Sequence, residues 1–111
     1  MSMDESPILS ITAHTSNHDL VLAIDGEMDA ATADALRKAV EAVDPTDSTQ
    51  VVVDLEHVSF IDSKGLLALL EGRDRLAQRH IRLLIRNPQT QARRLFDLAL
   101  NGEQFEEARG A

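Results

Sequence analysis

The chain contains no cysteine, tryptophan or tyrosine, and only three phenylalanines among 111 residues. Without cysteine there is no disulfide framework, thiol nucleophile or thiolate metal site, which fits a reducing compartment. With so few aromatics, stacking on bases or sugars is poorly supplied. Positive charge is also scarce: 11 Lys and Arg stand against 19 Asp and Glu, a formal net charge of -8. A phosphate backbone is held mainly by releasing counterions to Lys and Arg, so this balance argues against nucleic acid as a partner. The longest cationic grouping, Arg93-Arg94, falls in an amphipathic pattern and reads as a solvated helix face. No apolar run approaches the roughly 18 residues needed to span a bilayer, and no export signal opens the sequence. The expectation is a cytoplasmic protein with no direct membrane insertion.

Apolar residues make up 43% of the chain, enough for one core. Residues 1–7 are polar and are expected to form a disordered tail, leaving 8–111 as a single domain. Leu9, Ile11 and Ala13 alternate with polar residues as in a strand with one wet face, and the apolar run Leu20 to Ile24 follows a turn cluster, so the two predict an antiparallel hairpin. Gly26 punctuates the chain. From Ala30 to Val43 the period becomes helical, with Ala33, Leu36, Val40 and Val43 on one stripe, Asp29 as its cap and Asp44-Pro45 as its end. Gln50 to Leu55 is a β-branched run suited to a strand covered on both faces. A second helix is predicted over Lys64 to Gln78 and a strand over Ile81 to Ile85. A third helix is capped by Asn87, carries Pro88 at its first position, repeats Ala92, Leu95, Phe96 and Ala99, and closes at Asn101-Gly102. A short last strand is expected around Gln104 to Glu106. Right-handed crossovers make the later strands parallel, so the fold class is α/β: a mixed sheet of four to five strands with three helices packed on it.

In such sheets functional residues collect where strands end and helices begin. Asp62-Ser63-Lys64-Gly65 occupies that position, with Ser63 read as the cap of the second helix. Local spacing alone makes it routine capping. As a nucleophile Ser63 fails, because Ile61 stands where the elbow of α/β-hydrolases requires glycine and none of His14, His18, His57 or His80 has a route to a triad. His14 and His18 bracket a turn without a third ligand, so no metal site is expected. Asp54, after Val51-Val52-Val53, has the placement of a receiver phosphoacceptor, but its companions reduce to Asp25 and Arg86-Asn87-Pro88. Phosphate-cradling glycine loops are absent, and no cofactor is implied.

Three segments together resemble the STAS domain family, and within it the single-domain anti-sigma factor antagonists of bacteria. They are Gly26-Glu27-Met28-Asp29, similar to G-E-[LM]-D; Val58-Ser59-Phe60-Ile61-Asp62-Ser63-Lys64-Gly65-Leu66, similar to S-F-[IM]-D-S-[ST]-G-[LV]; and Arg94-Leu95-Phe96-Asp97-Leu98 near the end. The resemblance runs from Ile8 to Phe105 and implies a STAS-like sheet. It also implies that Ser63 is the phosphoacceptor of an anti-sigma factor that is itself a serine kinase of the GHKL type. The unphosphorylated form would bind that kinase and release a sigma factor, and a serine phosphatase would reverse the mark. Partner contacts are expected at Asp62, Lys64, Gly65, Leu66, Leu67 and Asp29, and no enzymatic activity is implied.

The departure from the pattern is Lys64, which replaces a second hydroxyl residue. Its ammonium would either neutralise a phosphate on Ser63 or meet an acidic patch on the partner. Asp62 has three roles open to it: capping, orienting the Ser63 hydroxyl, or engaging the kinase. Leu66, Leu67 and Leu69 cannot all face the core, which leaves an apolar patch beside Ser63. The competing reading, from another class, is an accessory subunit of a membrane lipid-transport ABC ATPase.

Overall fold

The computed structural model describes residues 9–44, 50–101 and 103–108. The tail expected over 1–7, and the helix-ending Pro45 and Gly102, lie outside the described residues. In chain order the elements are β1 (Leu9–Ser16), β2 (Asp19–Met28), α1 (Ala33–Glu41), β3 (Gln50–Ile61), α2 (Ser63–Gln78), β4 (Arg82–Arg86) and α3 (Thr90–Ala99). The sheet runs β1-β2-β3-β4, with β1 antiparallel to β2 and the other pairs parallel. The expected mixed sheet with three helices is therefore present, and β3 is an interior strand. The opening hairpin closes on Asn17 and His18, both at positive φ (53° and 71°), as a two-residue turn matched to strand twist requires.

Strand alternation gives the sheet two unlike faces. Leu22, Ile24, Val51, Val53, Leu55, Leu83 and Ile85 join the core beneath the helices, where Leu36, Val40, Leu69, Leu76 and Phe96 meet them. The stripe Ala33, Leu36, Val40 and Val43 is buried as its period predicts. The opposite face carries one buried apolar row, Val21-Val52-Leu84, in register across three strands. Polar rows flank it: Asp19, Gln50 and Arg82 on one side, Asp54 and Arg86 on the other. Gln50 donates to Asp19 and accepts from Arg82, and Arg82 pairs with Glu106 at 2.9 Å. Asp54, the receiver-like carboxylate, is committed to Arg86 at 3.0 Å. Burial pushes its carboxyl upward, but bonds from Arg86, the Glu56 N–H and Asn87 outweigh that and leave it lowered.

The largest difference from the expected elements is β3, which runs to Ile61 instead of ending at Leu55. Its core residues are Val51, Val53, Leu55, Val58 and Ile61, a spacing of two, two, three and three. Each step of three coincides with a register shift against β2, between Ala23 and Asp25 and between Gly26 and Glu27. Two bulges thus return the apolar side chains to the core face, and they place His57 in the strand, beyond the Leu55 at which it was expected to end. β2 likewise continues through Gly26, at φ 127°, to Met28.

Helix starts also moved. α1 begins at Ala33 because Asp29 builds the preceding turn, its Oδ1 accepting from the N–H groups of Ala31 and Thr32. α3 begins at Thr90; Asn87 adopts φ 57° in the exit from β4, and N-cap Gln89 sends its side chain to the Glu56 carbonyl. Ala99 is exposed, and Leu100 packs on the core instead. The last strand reduces to one bridge, Ile85 to Glu107, with buried Phe105 set edge-on to Phe96.

Candidate functional site

At the carboxyl end of β3 the backbone leaves the sheet at Asp62 and enters α2 at Ser63. Asp62, not Ser63, is the N-cap: in extended conformation, it accepts through Oδ1 from the N–H groups of Lys64 and Gly65, both at 2.9 Å. Of the three roles left open for Asp62, the structure displays capping. Ser63 is thereby freed. It is the first helical residue, is exposed, and its hydroxyl makes no hydrogen bond among the described residues.

The same cap consumes two of the backbone donors that an anion at this helix end would use. Asp62 and Lys64 are the charged residues on either side of Ser63 in the chain, and Lys64 is the only cation in the first turn. Lys64 is exposed and forms no ion pair among the described residues.

Two of the residues expected to touch a partner are interior. Gly65 is buried against the end of β2, where an added Cβ would collide with the Met28 carbonyl oxygen and lie 2.8 Å from the Met28 carbonyl carbon. Leu66 is 4% exposed and belongs to the core, because it follows Gly65 on the inward stripe with Leu69. Leu67, at 44% exposure, is the leucine that faces out, one turn from Ser63 on the same helix face. Asp29 is half-buried, and its Oδ1 is held by the turn before α1.

The structure adds residues that spacing did not single out. Phe60 is 43% exposed at the end of β3, so two of the three exposed large apolar side chains among the described residues bracket Ser63 in sequence. Met28 accepts from the Asp62 N–H at 3.0 Å as well as packing on Gly65, which joins the first two matching motifs into one junction. Gln91 of α3 reaches across to Ile61, accepting from its N–H at 2.9 Å and donating to its carbonyl at 2.8 Å. No period in the sequence marks Gln91. Among the described residues no cluster of three or more His, Cys, Asp or Glu could hold a metal ion, and no helix is long and apolar enough to cross a membrane.

The model of the STAS domain matches residues 10–105. In sequence, the chain is 38% identical over 71 residues to the anti-sigma-F factor antagonist RsfB of Mycobacterium tuberculosis, covering 62% of this chain and 58% of that protein. The match thus spans less than two thirds of the relative's length. In structure, it superposes on an anti-sigma factor antagonist from Mycobacterium paratuberculosis with a TM-score of 0.78, at 24% identity, over 92% of this chain and 86% of the other. The Bacillus cell fate determinant SpoIIAA in its phosphorylated form gives a TM-score of 0.67 at 22% identity, over 90% and 92% of the two chains.

Proposed function

Because the chain belongs to the STAS domain family, we propose that it is an anti-sigma factor antagonist acting in the cytoplasm as a single domain over 8–111, switched by phosphorylation of Ser63. The observation that carries this reading is the Ser63 hydroxyl, exposed at the first position of α2 and unbonded among the described residues while Asp62 does the capping. A kinase can take such a hydroxyl without dismantling the helix start. The name of the RsfB relative supports the partner class. The partner is an anti-sigma factor that is also a serine kinase of the GHKL type, and a serine phosphatase restores the hydroxyl. The chain is then the substrate of this chemistry and performs none itself.

The switch follows from electrostatics at the partner surface. Exposed Phe60 and Leu67, which flank Ser63 in sequence, provide apolar anchors. A phosphate brings about -1.5 to -2 charge. The helix dipole favours it by ~0.3–1 kcal/mol, and Asp62 opposes that gain, so the fold itself is little affected. Burying a dianion that one neighbouring ammonium only partly balances costs several kcal/mol, where about 1.4 kcal/mol is already tenfold in affinity. The mark therefore acts by removing the partner. Lys64, without an ion pair among the described residues, serves the unmodified state, meeting an acidic group of the partner, and a phosphate next door competes for it.

Incubation with a cognate anti-sigma kinase and ATP should add one phosphate, at Ser63 alone, read by intact mass and peptide mapping. Ser63→Ala should bind the kinase constitutively and Ser63→Asp at least tenfold more weakly. A phosphate found elsewhere, or equal binding by the two variants, would overturn the switch.

A further inference from the structure

β3 outruns its neighbour. β4 pairs with Gln50 to Asp54 only, so on that side residues 55–61 have no strand beside them among the described residues. Unpaired strand groups near a core must find partners elsewhere. The start of α3 supplies them through two glutamine side chains. Gln89 Nε2 donates to the Glu56 carbonyl at 2.7 Å, and the Gln91 amide bonds both the N–H and the carbonyl of Ile61. A primary amide offers one acceptor and two donors, so Gln91 reproduces the two-bond pairing of one residue of a neighbouring strand.

Ile61 immediately precedes the Asp62 cap. On its other side the chain is tied to β2 by the bond from the Asp62 N–H to the Met28 carbonyl. The loop that presents Ser63 is thus held from two directions, by the backbone of β2 and by one side chain of α3. We propose that Gln91 is a positioning residue for Ser63: it fixes the end of β3 so that the hydroxyl is presented in the orientation the kinase requires. The inference rests on the phospho-switch reading for its kinetic consequence and stands independently in its structural one. Misplacing a reacting group by about 1 Å can cost on the order of a hundredfold in rate, so a single lost clamp is enough to matter.

The test compares the wild type with Gln91→Met, which keeps the length and loses both bonds, and with Gln91→Glu, which keeps the acceptor for the Ile61 N–H and loses the donor. Arg93→Ala, also on α3 but paired with Glu107, is the control. Native-state hydrogen exchange should show the Ile61 amide exchanging at least tenfold faster in Gln91→Met, less so in Gln91→Glu, and unchanged in the control. With the kinase that labels the wild type, kcat should fall at least tenfold in Gln91→Met while KM stays within about threefold, because Phe60 and Leu67 still dock. Unchanged Ile61 exchange would overturn the clamp, and faster exchange with unchanged kcat would overturn its positioning role. If no kinase labels the wild type, the switch reading falls, and the exchange measurement still decides whether the clamp exists. Should Gln91→Met fail to fold, Gln91→Glu carries both comparisons.

Discussion

Ser63 owes its availability to its neighbour. A serine that capped α2 would have its hydroxyl turned toward the backbone donors, and the two exposed functions of the segment, holding the helix and offering an oxygen, would compete. Asp62 separates them by taking both N–H groups on one oxygen. Gly65 matters for a different reason, since its lack of a Cβ lets the first turn of α2 rest on the Met28 backbone. Gly65→Ala should lower stability by about 1–3 kcal/mol, because a carbonyl cannot rotate out of the way as a side-chain end can. The ~1 kcal/mol by which alanine favours a helix offsets only part of this. Gly72→Ala is the internal comparison, for there the new Cβ would meet a side-chain methyl, Val40 Cγ2 at 3.2 Å, and no backbone atom as close as at Gly65. Urea melts of the two variants decide it: if Gly65→Ala is as stable as Gly72→Ala, the contact with Met28 is not what excludes a side chain.

At the scale of elements, legibility followed periodicity. α1 was readable because Ala33, Leu36, Val40 and Val43 keep helical spacing without interruption. β3 was readable only as far as Leu55, since each bulge shifts the apolar residues by one and the alternation that identifies a strand is lost to inspection. The motif residues Ser59, Phe60 and Ile61 therefore looked like loop when they were strand, and the exposure of Phe60 was hidden with them. Leu66 and Leu67 could be known to differ in burial, but which one faced out depended on where Asp62 ended the sheet. Gln91 was illegible because its role depends on β4 being shorter than β3, a fact of the assembled sheet and of no local pattern.

The tie between β3 and β4 has a pH signature. Asp54 has a lowered carboxyl pKa in the folded protein, held down chiefly by Arg86 against the opposing pull of burial. A carboxylate favoured by the fold contributes its stability above the ordinary carboxyl range and loses it as pH falls through the lowered value. Asp54→Asn should therefore cost about 1–2 kcal/mol at pH 7, lowering Tm by several degrees. The gap from wild type should begin to narrow below about pH 4, where the carboxyl of the unfolded chain takes up its proton, and close as pH falls through the lowered folded value. A gap that stays constant from pH 7 to pH 3 would show that the ion pair is not its source.

For the whole molecule, the consequence lies in how the Ser63 surface is assembled. Met28, Ile61 and Gln91 belong to three different elements, and between them they hold a segment whose outward residues all fall within 60–67. A synthetic peptide of that stretch would contain every outward-facing group of the segment and none of the restraints supplied from outside it: no Met28 carbonyl for the Asp62 N–H, no amide for Ile61, no core beneath Leu66. So short a piece has almost no helix of its own in water. It should accordingly be a substrate at least a hundredfold poorer in kcat/KM than the folded chain, and a weak competitor for the partner. The recognition surface is in this sense a discontinuous epitope written in a contiguous sequence. An antibody raised against the peptide should prefer the denatured protein, and one raised against the folded chain should fail to recognise the peptide.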